Sequence, residues 1–209
     1  MATLESPLGR INQSFGGMTA TKWKNKTVLK QKVPSTNTSK SPAQTLQRRK
    51  FAFLAALGGK YGPGVRVGFR TVATDDTEQN QFTSRNFDLV TDNGTVSTID
   101  YLLVSISTGI VGPLSGLVGD YNGITGNIDV QWDDNSNGTD ALPTDLIQVL
   151  VYDKVTKTAY WTPGLSNRAG SPITPTMPAG LTVANLVVYA FFKRASSTAT
   201  SPSSVVAAT

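Results

Sequence analysis

The chain has 209 residues, enough for one large domain or two small ones, and it contains neither cysteine nor histidine. Their absence excludes disulfides, thiol nucleophiles, Cys/His zinc sites and catalytic triads with a histidine base. Hydrophobic residues make up 39% of the sequence and charged residues only 16%, with 19 Gly and 11 Pro. This composition is typical of a β-rich, loop-rich protein and excludes a coiled coil or a strongly charged disordered chain.

The net charge of +5 is unevenly distributed along the chain. Residues 1–70 hold 13 of the 19 Lys and Arg residues and a single acid, Glu5, so their net charge is +12. Residues 71–209 hold the other 6 bases and 13 acids, so their net charge is −7. A basic segment of this kind either neutralises nucleic-acid phosphates or lies against the acidic face of a neighbouring copy. A solvated basic tail without a fixed partner is the third interpretation.

Neither a secretory signal nor a membrane helix is predicted. The first residues lack a charged region followed by an apolar one. The longest uncharged stretch, residues 101–119, contains four Gly and Pro113, and only about half of it is apolar. A membrane helix needs roughly 20 predominantly apolar residues, so we expect no membrane insertion.

Residues 1–41 are predicted to form an extended basic arm. Loose alternation of apolar residues and lysines over 21–33 predicts one edge strand, on which lysines discourage uncontrolled pairing. Trp23 among four nearby lysines is the one local pattern that fits base stacking in a single-strand binder. The candidate contact residues of this arm, for assembly or for phosphate, are Lys22, Trp23, Lys24, Lys26, Lys30 and Lys32.

Residues 42–95 are predicted to form a helical, mixed segment. Ser41 is placed as an N-cap, Pro42 at the first helical position and Gln44 as in a capping box. Apolar residues then repeat at helical spacing, and the pair Gly58-Gly59 is predicted to end the helix. The repeat consists of Leu46, Phe53, Leu54 and Leu57.

The same helix carries a basic cluster, Arg48, Arg49 and Lys50, away from most of its apolar stripe. A solvated helix face and a partner-binding surface are both consistent with it.

In residues 61–70, glycines surround Pro63, and apolar residues then alternate with Arg and Gly. A second helix is predicted to begin at Asp75 or Asp76, with an apolar face of Phe82, Asn86 and Leu89.

Residues 96–209 are predicted to be an antiparallel β-sandwich of the immunoglobulin or fibronectin type. Short segments of alternating or continuous apolar residues recur with turns between them, which is typical of such sandwiches. The predicted fold class is therefore mainly β, or α+β, with a short helical region before the sandwich. The predicted strands lie at 102–106, 128–132, 146–152, 158–162, 186–192 and 204–207.

The loop 133–138 opens like a calcium-binding loop. Asp133, Asn135 and Asn137 occupy positions 1, 3 and 5, and Gly138 occupies position 6. Position 12 falls on Thr144 instead of a bidentate Glu. An inter-strand turn rich in Asx and Gly is the alternative interpretation, and the pattern favours it.

No motif indicates catalysis, and no cofactor is predicted. The acids lie in predicted turns, where solvation is their usual role, instead of pairing across a cleft as glycoside hydrolysis requires. Ser115 lacks both the spacing of a nucleophile elbow and a histidine. Gly62-Pro63-Gly64 lacks the Lys and the helix of a phosphate-binding loop.

Taken together, several motifs resemble an uncharacterised family of proteins of about this length from Bacteroidetes and their phages, a domain of unknown function. The resemblance implies a C-terminal immunoglobulin-like sandwich and a link to phage or cell-surface structures, with no known activity or catalytic residue. The motifs are Ser-Phe-Gly-Gly at 14–17, Thr-Lys-Trp-Lys-Asn-Lys at 21–26, the helix segment 42–52, and segments 132–136, 144–152 and 167–170.

We therefore expect a non-enzymatic structural protein that self-assembles, a phage virion component located in the particle or, during assembly, in the host cytoplasm. Its partners would be copies of itself or other structural proteins, with the basic region against acids such as Asp75, Asp76, Asp133 and Asp134 of a neighbour. A nucleic-acid-binding or packaging protein is the first alternative. A host- or glycan-binding surface module is the second.

Overall fold

The computed structural model describes residues 2–3, 14–15, 17–23, 26–31 and 41–209. The chain divides into two compact units, Met1–Ser41 and Pro42–Thr209. In the first unit the described residues form four antiparallel strands: β1 (Ala2–Thr3), β2 (Ser14–Phe15), β3 (Met18–Trp23) and β4 (Lys26–Gln31). Their order in the sheet is β1-β4-β3-β2.

The prediction of one edge strand over 21–33 is wrong. Trp23 lies opposite Lys26 and Met18 opposite Gln31, so the chain reverses between β3 and β4 and forms a hairpin. Both strands are inner strands of the sheet, because β1 pairs with β4 and β2 with β3. Among the described residues, however, the outer strands are short and pair only with Val28 and Leu29 of β4 and with Met18 and Thr19 of β3.

The second unit begins with three helices, α1 (Pro42–Lys60), α2 (Gly62–Gly68) and α3 (Glu78–Asn86). Helix α1 starts at Pro42 as predicted, but the prediction that Gly58-Gly59 end it is wrong. Gly58 is buried, and a Cβ there would stand 2.0 Å from Nε2 of Gln79 in α3. The glycine thus permits close approach of α3, while Tyr61 N continues the ladder by donating to Leu57 O at 3.0 Å.

The short helix α2 arises from a segment whose apolar residues alternate in sequence. Val65 and Phe69, four residues apart, are both buried, which places them on one face of the helix. Pro63 lies in the first turn, where its missing N–H costs nothing. Helix α3 confirms the predicted second helix, with Thr77 Oγ1 accepting from Asn80 N at 3.2 Å as the N-cap.

Two hairpins follow, β5 (Val90–Asp92) with β6 (Ser97–Ile99), and β7 (Val118–Asn122) with β8 (Asn127–Gln131). The strand predicted at 102–106 is absent from this part of the structure. The Asn86 side chain bonds both backbone groups of Ser105, at 2.8 Å from its N and 2.9 Å from its O. These groups are therefore unavailable to a ladder, although Val104 and Ile106 are buried.

The remaining strands are β9 (Leu146–Asp153), β10 (Thr158–Asn167), β11 (Leu186–Lys193) and β12 (Ser204–Ala207). They form a four-stranded antiparallel sheet in the order β10-β9-β11-β12. The strands predicted from the apolar runs at 146–152 and 186–192 are confirmed, as are those at 128–132, 158–162 and 204–207. The fold is mixed α+β with mostly antiparallel strands.

Strands β9 and β11 are buried on both faces. One face packs against the three helices and hairpin β5–β6, and the other against hairpin β7–β8 and the extended chain around Ile173 and Met177. Buried residues toward the helices are Leu150, Tyr152, Val187, Tyr189 and Phe191; those toward β7–β8 are Ile147, Val149, Val151, Leu186, Val188, Ala190 and Phe192.

We expect Gly68→Ala to destabilise the second unit by about 1–3 kcal/mol, because the added methyl overpacks a tight backbone contact. A Cβ at Gly68 would lie 2.2 Å from Ile106 O, a backbone atom with little freedom to move. Urea unfolding measures the effect. The matched control is Gly59→Ala in α1, where nothing lies within 4 Å, and where alanine should stabilise the helix. Equal stability of the two variants would contradict this account.

Candidate functional site

The predicted contact lysines of the first unit lie on or next to its central hairpin. Lys30 in β4 is exposed and lies opposite Thr19. Lys22, Trp23 and Lys26 belong to β3 and β4, but their side chains lie outside the part of the chain that the structure describes. Lys24 and Lys32 also fall outside the described residues.

The basic cluster on α1 is divided between internal and external roles. Arg49 forms an ion pair with Asp92 and donates to Gly94 O, so it ties α1 to hairpin β5–β6. Lys50 Nζ lies 5.7 Å from the centroid of the Phe87 ring. Arg48 is exposed and remains available for a partner.

Asp92 is the centre of the α1–hairpin contact. Its carboxylate accepts from Ser97 Oγ, from Gly94 N at 2.8 Å and from Arg49. These donors, the Ser97 hydroxyl first, hold the pKa of Asp92 below its usual value. The interaction is therefore present above the ordinary aspartate pKa and is lost as the pH falls through the lowered one.

The charge asymmetry does not follow the boundary between the units. The unit Met1–Ser41 carries seven bases and Glu5, a net charge of +6, whereas Pro42–Thr209 holds 12 bases and 13 acids, a net charge of −1. Within the second unit, residues 42–70 add six bases and no acid, so α1 and α2 are basic and the remainder is acidic. The positive charge of the second unit is thus concentrated in its first 29 residues, and the negative charge in the residues that follow.

Three side chains of the loop 133–138 accept hydrogen bonds from other groups of the protein. Asn135 Oδ1 accepts from Arg168, Asn137 Oδ1 accepts from Thr139 N at 2.9 Å and from Ala141 N at 3.1 Å, and Asp134 accepts from Ser136. The Ser136 hydrogen bonds also hold the pKa of Asp134 below its usual value. Such Asx bonding is typical of a turn. Within the described residues no cluster of three or more acids could hold a metal ion.

A fully buried arginine lies beneath this loop. The Arg168 side chain is 0% exposed, and its Nη2 donates to Gly112 O at 2.9 Å and to Asp145 Oδ2 at 3.4 Å. Its Nη1 donates to Pro113 O at 3.4 Å and to Asn135 Oδ1. The guanidinium carbon lies 3.9 Å from the centroid of the Phe192 ring, in cation–π geometry.

Asp145 balances this buried charge. It is fully buried, accepts from Arg194 Nε at 3.0 Å and caps the backbone at Leu142 N at 2.9 Å. Burial lowers the pKa of Arg168, and Asp145 opposes that shift. No sequence pattern predicted this buried pair. The one signal was the motif at 167–170, which places an arginine in the acidic part of the chain.

A second buried polar cluster consists of tyrosines between the sheet and α1. The hydroxyls of Tyr61 and Tyr189 lie 3.0 Å apart, and Tyr189 donates to Tyr101 O at 2.7 Å. The Tyr61 and Tyr152 rings pack edge to face at 4.8 Å. Burial is the main cause that raises the pKa of Tyr61, Tyr152 and Tyr189.

Depressions on the helical side of the described surface include a groove and a smaller pocket. An open groove of about 650 Å³ runs between α1 and α3, with the exposed Phe51 and the Phe87 ring, 4.8 Å apart, among its lining residues. A smaller pocket of about 130 Å³ lies where α1 meets β9.

No helix among the described residues is long and apolar enough to cross a membrane.

A family of unknown function, DUF6266, matches residues 10–206, so the chain belongs to that family. The expected resemblance to an uncharacterised family over nearly the whole chain is thereby confirmed. No curated protein and no solved structure matches the chain.

Replacing Arg168 by leucine should destabilise the protein by about 3–5 kcal/mol, because two backbone carbonyls and part of Asp145 lose a buried partner. Chemical denaturation measures the change. Arg66→Leu is the control, since Arg66 is exposed and has no ion pair within the described residues; its effect should stay within about 0.5 kcal/mol. If both variants unfold alike, Arg168 is not a structural centre.

The tyrosine cluster predicts alkaline unfolding. A phenol whose folded pKa is raised keeps its proton while the unfolded chain loses it, so stability falls above about pH 10. The expected loss is about 1.4 kcal/mol per pH unit for each of the three tyrosines. Urea unfolding between neutral and alkaline pH measures this slope.

Tyr61→Phe should reduce that slope by about one tyrosine's share. Tyr189 still donates to Tyr101 O in this variant, so stability at neutral pH should change little. A slope equal to that of the unsubstituted protein would contradict the assignment.

Proposed function

We propose that this DUF6266 protein is a non-enzymatic structural protein that self-assembles, a component of a phage virion, with its basic N-terminal unit contacting neighbouring copies. The observation that carries the proposal is charge segregation. The first unit has a net charge of +6, and residues 71–209 have a net charge of −7. Opposite charges on two parts of one chain favour head-to-tail contacts between copies.

The acidic surface of the second unit supports this proposal. Asp120 in β7 lies directly opposite Asp129 in β8, and like charges facing each other across a ladder repel. Only Asp129 has a side-chain hydrogen bond to a neighbouring segment, from Thr174 Oγ1. Lysines of a neighbouring copy would relieve the repulsion. Asp133 is exposed nearby in sequence and adds to this negative surface.

We propose further that the C-terminal part is an immunoglobulin-like sandwich. What supports this is the pairing of β8 with the chain at 173–176, through Val130 with Ile173 and Asn127 with Thr176. Hairpin β7–β8 and that segment would form a second sheet over the four-stranded one. The buried Trp132, whose Nε1 donates to Arg168 O at 2.7 Å, would lie between them.

Nucleic-acid binding or packaging is the alternative. It is supported by exposed bases on the helical side of the second unit, where an extended phosphate backbone would find several cations. These bases are Arg48, Lys60, Arg66 and Arg70.

A host- or glycan-binding module is supported by the apolar hairpin tips, where Ile124 is 99% and Val155 67% exposed.

Multi-angle light scattering at low and high salt tests the assembly proposal. We expect the full chain to be oligomeric at low salt and to dissociate at high salt, because screening weakens contacts between exposed charges. The triple variant Lys22→Gln, Lys26→Gln, Lys30→Gln should be monomeric at low salt. The charge-matched control, Lys154→Gln, Lys157→Gln, Lys193→Gln, should assemble like the unsubstituted chain.

Equal assembly of both triple variants, or a monomeric full chain at low salt, would refute the role of the N-terminal unit. A monomeric chain that copurifies with nucleic acid and releases it at high salt would favour the alternative. The ratio of absorbance at the nucleic-acid and protein maxima distinguishes these outcomes in the same run.

A further inference from the structure

The smaller pocket, which is independent of the proposed assembly, combines an aromatic interior with two cations. It measures about 130 Å³ and lies between the second half of α1 and the β9–β10 hairpin. Its lining residues are Phe53, Ala56, Leu57 and Lys60 from α1, Tyr101 from the turn after β6, Tyr152 from β9, and Lys157 from the β9–β10 turn.

The size and lining of the pocket suit a single aromatic ring. A cavity of about 150 Å³ is enough to hold one benzene molecule. The rings of Tyr101 and Tyr152 lie 5.4 Å apart at an angle of 37°, and Leu57 supplies an aliphatic side. A planar apolar group entering here would contact aromatic and aliphatic side chains and bury its surface.

Two ammonium groups at this pocket have no carboxylate partner within the part of the chain that the structure describes. The ion pairs among the described residues involve Arg49, Arg168 and Arg194, and neither Lys60 nor Lys157. Lys60 lies in the last turn of α1, where a cation also stabilises the helix terminus. Lys157 has no such helix to stabilise, and its backbone adopts a φ of 54°, which is uncommon for a residue with a side chain.

The two carboxylates that adjoin lining residues in sequence accept hydrogen bonds from their own turns. Asp153 accepts from Val155 N at 2.8 Å and from Thr156 Oγ1 at 2.9 Å within the β9–β10 turn. Asp100 accepts from Leu102 N at 3.0 Å as an N-cap. The Tyr152 hydroxyl is a phenol, which is protonated at neutral pH, and it does not repel an anion.

We propose that this pocket binds a small aromatic carboxylate of the benzoate class. The ring lies among Leu57, Tyr101 and Tyr152, and the carboxylate faces Lys60 and Lys157. The apolar lining supplies most of the affinity, and the two lysines select an anion over a neutral or cationic analogue.

Benzoate itself is the probe, titrated into the ¹⁵N-labelled full chain at low salt. We expect saturable shifts at millimolar benzoate, confined to residues that line the pocket. Benzyl alcohol and benzylamine, which keep the ring without the negative charge, should bind more weakly. Absence of saturable shifts, or equal binding of benzyl alcohol, would overturn the proposal.

Substitutions identify the residues responsible. Lys60→Gln combined with Lys157→Gln should weaken benzoate binding about tenfold, the loss of two exposed ion pairs. Lys154→Gln in the same turn is the matched control, because Lys154 does not line the pocket. Ala56→Trp should block the pocket while it keeps both lysines. Benzoate binding that survives Ala56→Trp, or that Lys154→Gln weakens as much as the double variant does, would place the site elsewhere.

Discussion

The architecture of the second unit depends on two strands that are apolar on both faces. β9 and β11 pair side by side, and nearly every residue in them is buried, so neither face of the sheet can meet water. Burial of each large apolar side chain stabilises the fold by about 1.5–3 kcal/mol. The fold therefore depends above all on other elements that pack against both faces of the sheet. The helices supply one cover, and hairpin β7–β8 with the chain around Ile173 supplies the other. Helix α1 continues past Gly58 and so delivers Tyr61 to the sheet.

A buried charge cluster closes one end of this sheet. Asp145 immediately precedes β9, Arg168 immediately follows β10, and Arg194 immediately follows β11. The register places Leu146 opposite both Asn167 and Lys193, so the ends of β9, β10 and β11 lie side by side. One carboxylate between two guanidiniums holds them, and Arg168 adds the carbonyls of Gly112 and Pro113. Because a buried charge without partners is costly, this cluster accepts few alternative arrangements of the surrounding loops.

Charge is organised on two scales. Along the chain, the first unit is basic, and the second is nearly neutral in sum. Within the second unit, α1 and α2 are basic and the remainder is acidic, but Arg49 already pairs with Asp92 inside the unit. Neighbouring bases in the sequence therefore have different roles, because Arg49 is paired inside the unit whereas Arg48 is exposed. Exposed bases such as Arg48 and Lys30 are the ones that a neighbouring copy or a polyanion would meet.

Several elements could be predicted from the local pattern of side chains alone. The continuous apolar runs of β9 and β11, the alternation in β8, the start of α1 at Pro42 and the helix around Phe82 all follow from side-chain periodicity, which acts within a few residues. Other features depend on contacts between segments that are distant in the sequence. Gly58 lies within a helix at the point where α3 packs closely, Ser105 bonds the Asn86 side chain instead of a neighbouring strand, and Arg168 is fully buried beside Asp145. The pocket between Lys60 and Lys157 likewise joins residues nearly a hundred positions apart. Such contacts depend on which distant segments meet, and local periodicity carries no information about that.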